Sequence, residues 1–398
     1  MQRIESPDLA SPRFKANPFP FYARLRTEAP VHPTRLPFWG RAWLLTRYDD
    51  VRLVLKDERL AKDISSKMRW VPRALQPLNR NLLNMDPPDH TRLRALVSKA
   101  FTPGRVELLR DRVQQACGEL LDGAARNGRL ELVSGFALLL PLRIIADLLG
   151  IPEPDRRRFY AWTTRVSAAT SGATLDLLRA QPSLWLSMRY LRGLVALRRS
   201  QPRDDLITAL LQAEEAGDTL SEDEVIGMIA LLLLAGYETT LSLIALGTLA
   251  LLQHPAQRQL LLENPALAEQ AVEEILRFTS PADIASMRIA REAVTIGPVT
   301  MAHGDIVLAS IASANHDESQ FPHPDALDIT REPNRHVAFG LGAHFCLGAP
   351  LARLEGRIAL TTLFRRFPNL RLAVPPEAVR WRRSLLFRSV ESLPLLLS

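Results

Sequence analysis

Apolar residues recur at helical spacing through most of segment 48–280, and prolines between the runs mark helix starts and stops. The run from Val225 to Leu252 is largely apolar and carries a single charge, Glu238. Ser221 precedes this run and Glu224 follows three residues later, which is the pattern of a capping box. The run is long enough to cross a bilayer, but a mid-span carboxylate is costly in lipid and flanking lysine or aromatic anchors are missing. The pattern therefore predicts a long helix buried inside the protein.

A strand texture replaces the helical one in shorter parts of the chain. In segment 293–313, β-branched residues surround Gly-Pro and His-Gly-Asp turns, which predicts a small meander of strands. Two short strands are expected near Val31–Thr34 and Ala42–Thr46, and the C-terminal segment resembles a hairpin. Further helices are predicted at about residues 20–28, after Asn264 as N-cap with Pro265 at the first helical position, and at about 349–366.

Helix dominates this pattern and strands are minor, which predicts a mainly α fold with a minor β region, in the α+β class. No internal repeat or low-complexity linker divides the sequence. We therefore expect a single domain over residues 1–398, with β-richer parts at about 31–46, 283–313 and 370–398. The composition, 47% hydrophobic and 23% charged, is ordinary for a globular protein.

The cysteine content and the net charge indicate the cellular location and the kind of partner. The two cysteines, Cys117 and Cys346, cannot build a disulfide framework, and the N-terminus has no apolar secretory segment, so a cytoplasmic location is expected. The net charge is +7, mostly from scattered arginine. No zinc-ligand spacing and no basic run interleaved with aromatics is present, which argues against nucleic-acid binding. The basic excess suits an acidic protein partner.

Cys346 lies in the segment FGLGAHFCLG, just before a predicted helix. The positive end of a helix dipole and unpaired backbone N–H groups favour thiolate over thiol. Glycines at 340, 342 and 348 let a flat, bulky group approach the backbone. Such a sulfur is suited to be a metal ligand or a nucleophile, and His344 is a nearby base in the second case. For Cys117, in a helical run, we expect an ordinary buried side chain.

The segment AGYETT places an acid and a hydroxyl, Glu238 and Thr239, in the middle of the apolar helix. A buried carboxylate needs a partner or a task, and proton delivery is such a task. The alternative is a structural ion pair for Glu238 and a hydroxyl bonded back to the helix for Thr239. The residues alone do not decide between these two interpretations.

Two further pairs have helical spacing. Glu274 and Arg277 are three residues apart and can form an ion pair on one helix face. His90 and Arg94 are four residues apart and can present two donors to a carboxylate. Each pair alone is usually a solvated surface pair.

Together, these motifs resemble the cytochrome P450 family of haem-thiolate monooxygenases, in its soluble bacterial form. The haem-loop pattern Phe-x-x-Gly-x-His-x-Cys-x-Gly matches residues 339–348, the Ala-Gly-x-Glu-Thr pattern matches 235–239, and Glu-x-x-Arg matches 274–277. The resemblance extends from about Phe19 to the C-terminus. It implies the family's fold, with haem b between the long central helix and the helix that follows the cysteine loop.

The resemblance also implies roles for individual residues. Cys346 would be the thiolate ligand of the haem iron, which the family uses to favour O–O bond cleavage. Glu238 and Thr239 would relay protons during activation of O2. Glu274 and Arg277 would be structural, pairing further with Arg331 or Asn334. The remaining cofactor-binding positions are His90, Arg94, Ala235, Arg288, Phe339, His344 and Gly348, of which His90, Arg94, Arg288 and His344 would hold the two propionates.

The implied reaction inserts one oxygen atom into an organic molecule. Few charges fall in the family's substrate regions, which predicts an apolar substrate of medium or large size. Those regions are 62–83, 159–190, 231–236, 282–287 and 385–387. Arg69 and Arg73 would meet a carboxylate or polar substituent, the alternative being that both are ordinary exposed residues. Tyr237 would point away from the pocket. Reaction outcomes within the family include hydroxylation, epoxidation, desaturation and ring coupling, and substrate types include terpenoids, polyketides and fatty acids.

Electrons would come from a separate ferredoxin or flavodoxin with its reductase, because the chain has no flavin, nicotinamide or iron–sulfur signature. The expected docking face comprises Arg92, Lys99, Arg105, Arg353 and Arg357. Two alternatives stay open at this point. One is a haem sensor or carrier without turnover, which would not need Glu238 and Thr239. The other is a haem-free cysteine-nucleophile enzyme, which would not explain the buried acid or the convergent donors.

Overall fold

The computed structural model describes residues 4–36, 40–63, 81–126, 128–168, 174–215 and 217–397. These parts of the chain form fifteen α-helices and twelve short strands. The helices are α1 (Pro12–Ala16), α2 (Phe19–Glu28), α3 (Tyr48–Lys56), α4 (Asp89–Ala100), α5 (Pro103–Glu107), α6 (Arg110–Ala125), α7 (Leu139–Leu148), α8 (Glu153–Ala168), α9 (Thr174–Ser200), α10 (Leu206–Leu211), α11 (Glu222–Gln253), α12 (Pro255–Glu263), α13 (Ala268–Thr279), α14 (Ile311–Ala314) and α15 (Ala349–Arg366). The mainly helical fold class is therefore confirmed.

The strands form one larger sheet and several small ones. Their bounds are β1 (Val31–Leu36), β2 (Gly40–Leu45), β3 (Leu60–Ala61), β4 (Arg129–Glu131), β5 (Glu214–Glu215), β6 (Asp218–Thr219), β7 (Arg288–Ala290), β8 (Val294–Ile296), β9 (Val299–Met301), β10 (Ile306–Ala309), β11 (Arg371–Leu372) and β12 (Pro394–Leu396). The larger sheet has the order β1-β2-β10-β7-β3, with β10 parallel to β2 and the other neighbours antiparallel. A second sheet has the order β11-β12-β4.

The predicted meander over 293–313 is wrong in its pairing. β8 and β9 pair with each other as a hairpin, whereas β10 joins β2 and β7 in the larger sheet. Gly304, with φ +83°, turns the chain between β9 and β10. The C-terminal hairpin is present only as an antiparallel bridge from Trp381 to Val390, and β12 pairs elsewhere.

The long apolar run forms α11, and its capping box is confirmed. Ser221 Oγ accepts from the Glu224 backbone N–H at 3.3 Å, and the Glu224 carboxylate accepts from the Ser221 backbone N–H at 2.8 Å. In its most apolar window, 71% of the residues are buried inside the protein. Burial therefore accounts for a composition that would also suit a membrane span.

The prediction for Asn264 is confirmed in part. Asn264 stands at the N-cap position of a short turn with Pro265 at its first position, but it is also the C-terminal cap of α12, and its side chain donates to the Leu260 carbonyl at 3.2 Å instead of capping the turn that follows. Pro265–Leu267 forms a turn of 3₁₀ helix, and α13 begins only at Ala268. The asparagine ends one helix because its amide reaches back toward carbonyls that the helix leaves unsatisfied.

Close packing around α11 fixes the helices that carry the site. The long helix packs on α7, α13 and α15. A Cβ at Gly247 would lie 3.0 Å from an Ile275 methyl, and one at Gly356 would lie 2.7 Å from a Leu243 methyl. Glycine at these two positions therefore lets α13 and α15 approach α11 closely, which sets the distance between the cysteine loop and the long helix.

Candidate functional site

A cavity of about 320 Å³ lies between α11 and the cysteine loop. Predicted site residues from distant parts of the sequence line it together, namely Arg94, Ala235, Thr239, Arg288, Phe339, His344, Cys346 and Gly348. The other predicted residues lie outside its lining: His90 is buried against the His344 ring, whereas Glu238, Glu274 and Arg277 are buried in ion pairs.

The cysteine loop is built by glycines and ends at a helix. Gly340 and Gly342 have φ of +69° and +73°, which other residues adopt at a cost. A Cβ at Gly342 would also lie 3.3 Å from the Leu55 carbonyl. The Cys346 backbone N–H donates to the Phe339 carbonyl at 2.9 Å, which closes the loop. Cys346 lines the cavity and stands three residues before the first residue of α15.

The electrostatics of the sulfur differ from the sequence expectation. Burial raises the pKa of Cys346, and this outweighs the opposing backbone N–H groups of Gly348 and Ala349 and the charges of Arg94 and Arg353. The helix terminus thus acts in the expected direction but does not by itself yield a thiolate. A metal ion would, because a coordinating thiol is deprotonated by the ion's charge. The site is therefore suited to a metal ligand rather than to a metal-free nucleophile.

Cationic groups crowd one edge of the cavity. The His90 and His344 ring centroids are 4.1 Å apart, and Arg94, Arg288 and Lys62 line the same cavity. Burial, followed by the charges of His90, Lys62 and Arg288, lowers the pKa of His344 to about 3. Burial lowers the pKa of Lys62 to about 7 and that of Arg288 to about 10. Burial is the largest cause of each lowered pKa, and the nearby carboxylates of Asp86 and Asp57 offset it only in part for Lys62 and Arg288.

The donor set at this edge matches a group with two carboxylates. Both ring nitrogens of His90 and Nε of Arg288 are buried without a hydrogen-bond partner in the described structure. Nearby Asp86 is already engaged by the backbone N–H groups of Lys62 and Asp63 and by Arg291. Buried unpaired donors cost free energy unless an acceptor arrives. Two propionates would supply such acceptors and restore the depressed charges, so the residues present fit haem.

On the opposite wall, α11 presents two neighbouring hydroxyls. Thr239 Oγ1 donates to the Ala235 carbonyl at 3.0 Å, and Thr240 Oγ1 donates to the Gly236 carbonyl at 3.2 Å. Both threonines line the cavity. Each hydroxyl keeps its oxygen lone pairs free to accept a proton donor such as water.

Glu238 is buried beside this wall and does not line the cavity. Its carboxylate accepts from Arg382 Nη1 at 3.1 Å, and the Arg382 side chain is 30% exposed. The structural interpretation, an ion pair, is therefore correct for the geometry. The pair also connects the segment behind Thr239 with the protein surface. Tyr237 is 2% exposed and packs away from the cavity, as predicted.

The predicted structural pair is confirmed and extends into a network. Arg277 donates to both oxygens of Glu274 at 2.8 Å, and both side chains are fully buried. Glu274 also accepts from Arg331 and, at 3.0 Å, from Asn334, so both suggested partners take part. Arg277 further donates to three backbone carbonyls of segment 315–326. The network anchors the long loop that leads into the cysteine loop.

A second network supports the cysteine loop from α13. Arg353 forms two hydrogen bonds of 2.7 Å with Glu273 and lies 4.5 Å from the Phe339 ring centroid. Glu273 also contacts His336 at 3.1 Å, and these partners lower the pKa of Glu273 to about 2 although burial opposes this. Phe339 is thereby held against the loop, where the sequence predicts it. Arg353 is paired with Glu273, but its side chain is 39% exposed, so its place on a docking face stays a prediction.

The other predicted docking residues differ in availability. Arg92 pairs with Asp218 and Glu224, and Arg357 pairs with Glu269. Lys99 and Arg105 are exposed.

Three polar residues of the cavity, Lys62, Thr240 and Glu355, have no individual role in the sequence predictions. Lys62 begins the predicted substrate region 62–83, but no motif marks it as part of the cationic edge. Thr240 is adjacent to Thr239 in the quoted segment but was given no role. Glu355 lines the cavity from α15, is 1% exposed, and has one oxygen without a partner in the described structure. Burial raises the pKa of Glu355 to about 8. Its position nine residues after Cys346 was the available signal.

The expected substrate regions are only partly found in the cavity wall. Leu231, Leu232 and Gly236 line it, as do Ala282, Ala285 and Ser286. No described residue of segments 159–190 and 385–387 belongs to the lining, so the cavity gives these two predictions no support, and residues 169–173 lie outside the described part of the chain. Lys62, Leu82 and Leu83 represent the first loop, whereas Arg69 and Arg73 lie outside the described residues.

The fold and the site define a mainly helical protein with a glycine-framed cysteine and a cationic edge that fit a haem. Comparison with known proteins agrees. A family model described as cytochrome P450 matches residues 186–380. The polyketide biosynthesis cytochrome P450 PksS of Bacillus subtilis is 42% identical over 97% of each chain. The cytochrome P450 monooxygenase PikC of Streptomyces venezuelae is 42% identical over 96% of this chain and 91% of PikC. This chain belongs to the cytochrome P450 family.

A solved structure gives the same result for the fold. P450BioI, in a complex with an acyl carrier protein ligated to hexadec-9Z-enoic acid, matches with a TM-score of 0.90 and 36% identity. The match covers 98% of this chain and 100% of that one. The protein is thus an oxidoreductase with haem b as cofactor and with redox proteins as partners. Membership of this family replaces the two alternatives left open by the sequence, which were a haem-free cysteine-nucleophile enzyme and a haem sensor or carrier without turnover.

Proposed function

We propose that the enzyme inserts one oxygen atom into a large, mostly apolar molecule of the polyketide type, either an extended chain or a macrocycle. The main support for this proposal is the composition of the cavity wall. Away from the cationic edge, the wall is largely aliphatic and aromatic. It includes Phe101, Ile145, Leu148, Met228, Leu231 and Leu232. Such a wall favours an apolar substrate held by shape rather than by charge. The relative PksS, which is named as a cytochrome P450 of polyketide biosynthesis, supports the class.

In this proposal Cys346 is the ligand of the haem iron, and Ala235, Phe339 and Gly348 border the haem. His90, Arg94, Arg288, His344 and Lys62 hold the propionates. The unpaired nitrogens of His90 and Arg288 support this assignment. When bound, the haem supplies the chemistry of O2 activation and oxygen insertion.

The hydroxyl of Thr239 holds water at the cavity wall and passes a proton toward the reacting oxygen. Glu238, through its pair with the partly exposed Arg382, connects this wall with solvent. General acid catalysis needs a donor within hydrogen-bond reach of the reacting atom. Thr239 meets this requirement because its side chain lines the cavity. Glu238 does not line the cavity and acts through Thr239.

The electron donor is an acidic ferredoxin or flavodoxin that docks near the cysteine loop. Exposed Lys99 and Arg105 support this, as do two exposed apolar side chains, Leu108 at 82% and Phe345 at 38%. Helix α5, which carries Arg105, contacts α15. A small apolar centre with a cationic rim is suited to a transient, electrostatically steered complex. We place the enzyme in the cytoplasm as one domain.

The substrate class is tested by titrating the haem-loaded enzyme with a macrolactone aglycone, a long-chain fatty acid and a sterol. Displacement of water from the iron shifts the Soret band, and mass spectrometry identifies an added oxygen atom. We expect the macrolactone to bind and to be oxidised. Leu232→Phe, which narrows the cavity, weakens its binding by about tenfold, whereas Leu197→Phe at an exposed site does not. Tightest binding and oxidation of the sterol would contradict the proposal.

A further inference from the structure

The basic excess of this protein is concentrated in one pair of helices. The segment 153–200, which spans α8 and α9, contains nine arginines, no lysine and three carboxylates, a net charge of +6. The whole chain has a net charge of +7. The expectation of scattered basic residues is therefore wrong, and the remainder of the chain is nearly neutral.

The outer side of α9 combines these arginines with apolar side chains. Trp185 is 57% exposed and Leu186 is 36% exposed. Arg189 lies one turn further along, with its guanidinium 5.6 Å from the Trp185 ring centroid, and Arg192 is also exposed. Arg189 has no carboxylate partner among the residues that the structure describes. We call these four residues the arginine face.

The inner side of the same helix packs against the wall of the cavity. Met188, Leu191 and Val195 belong to one apolar cluster with Met228 of α11, and Met228 lines the cavity. One helix, about 10 Å thick, therefore separates the arginine face from the cavity wall. A partner bound to this face would lie beside the substrate site. The face and the cysteine loop are far apart in the sequence.

The chemistry of the face favours an acidic protein. Arginine presents a planar fork that matches carboxylates in two hydrogen bonds, and tryptophan and arginine are enriched at the centres of protein interfaces. Among the described residues of α9, the exposed large apolar side chains are Trp185, Leu186 and Leu197. This is narrower than the broad apolar side that a membrane-surface helix needs, which disfavours an anionic bilayer.

We propose that the arginine face docks an acidic acyl carrier protein that presents the substrate chain to the cavity. This proposal rests on the proposed function, in which the substrate is built as an acyl or polyketide chain. The similar structure of P450BioI with a bound acyl carrier protein supports the class of partner.

The test measures the affinity of the haem-loaded enzyme for a bacterial acyl carrier protein that carries a hexadec-9Z-enoyl chain. Isothermal titration at low salt compares the wild type with the double variant Arg189→Glu/Arg192→Glu. The control, Arg35→Glu/Arg41→Glu, reverses two exposed arginines on paired strands, and Arg41 likewise lies over a tryptophan, at 4.4 Å from Trp43. We expect the α9 variant to bind about tenfold more weakly or worse and the control to match the wild type. Trp185→Ala, which keeps the charge, should also weaken binding.

The outcomes separate this proposal from the proposed function. Equal affinity of the α9 variant and the control would overturn the docking site. If the wild type binds vesicles of phosphatidylcholine and phosphatidylglycerol but not the carrier protein, the face is a membrane surface and the proposal fails. Oxidation of the free macrolactone without carrier binding would overturn the docking proposal and leave the proposed function standing. Carrier binding that depends on Arg189, in an enzyme that oxidises only the sterol, would support the docking site and contradict the substrate class.

Discussion

At the scale of single residues, Thr239 has the most specific proposed role, which is proton delivery by its hydroxyl. Its hydroxyl lines the cavity and is bonded to the carbonyl of Ala235 at 3.0 Å. Thr248 on the same helix makes the same kind of bond, 2.8 Å to the Ile244 carbonyl, but lies away from the cavity. The two residues therefore share their local geometry and differ in their access to the reacting centre.

We predict that Thr239→Ala uncouples reductant consumption from product formation. Loss of the hydroxyl removes the group that positions the proton, so more of the reduced oxygen leaves as hydrogen peroxide. The measurement is the ratio of product and of peroxide to NAD(P)H consumed. Thr248→Ala should keep the wild-type ratio. Full coupling in Thr239→Ala would show that the assigned role is wrong.

Glu355 gives a prediction about pH. Burial raises its pKa to about 8, so it stays neutral in the folded protein while the unfolded chain ionises near the ordinary value. Its effect on stability is then absent below the unfolded pKa and grows more unfavourable up to the folded pKa. Glu355→Gln should gain stability over the wild type from about pH 5 to pH 8 and level off above that.

Denaturant unfolding at several pH values measures this difference. Glu58→Gln, at an exposed position, is the control and should show no such trend. A difference between Glu355→Gln and the wild type that does not change with pH would mean that Glu355 is ionised in the folded protein.

At the scale of elements, the Glu274–Arg277 pair ties α13 to the loop before the cysteine. We predict that Glu274→Gln lowers the free energy of unfolding by roughly 3–5 kcal/mol, because it leaves a buried guanidinium without its charge partner. Glu107→Gln is the matched control, because Glu107 forms an ion pair with Arg110 at the same spacing on the protein surface. That variant should leave stability unchanged in the same denaturant titration. Similar losses in both variants would contradict the anchoring role of the buried network.

Much of the element structure was predictable from local pattern. The capping box at Ser221, the helix over 349–366 and the strands near 31–46 follow from short-range signals, and all three are present. Where the prediction is wrong, a long-range contact decides. β10 pairs with β2, which is more than 250 residues away, and no signal in segment 293–313 encodes that partner. Asn264 stands at the predicted N-cap position before Pro265, but its side chain caps the end of α12 instead.

The candidate site shows the same division. Cys346 and Thr239 were predictable because each lies in a motif of fixed spacing, whereas Arg288 was predictable only from the family resemblance. Lys62 was not, because it reaches the cationic edge only through folding of a segment with no pattern of its own. The direction of the Cys346 pKa also depends on burial, which the sequence does not display.

At the scale of the whole molecule, charge distribution suggests two separate surfaces for acidic proteins. One includes Lys99 and Arg105 near the cysteine loop, and the other is the arginine face of α9. An electron donor needs a short path to the haem, which favours the first surface. A substrate carrier needs access to the cavity beside α11, which favours the second.

We predict that Lys99→Glu/Arg105→Glu slows reduction of the enzyme by ferredoxin about tenfold at low salt, and less at high salt where charges are screened. Stopped-flow absorbance of the haem measures the rate. Arg189→Glu/Arg192→Glu serves as the control and should leave this rate unchanged. An unchanged rate in the Lys99→Glu/Arg105→Glu variant at low salt would place the docking face elsewhere.

The central claim is that Cys346 binds the iron of a haem in this cavity. The most direct test is the absorption spectrum of the purified, reduced protein with and without carbon monoxide, beside that of Cys346→His. The account predicts a strongly red-shifted Soret band with carbon monoxide for the wild type and its loss in the variant. A wild-type band at the ordinary position of histidine-ligated haem, or no haem band after haem is added, would contradict it.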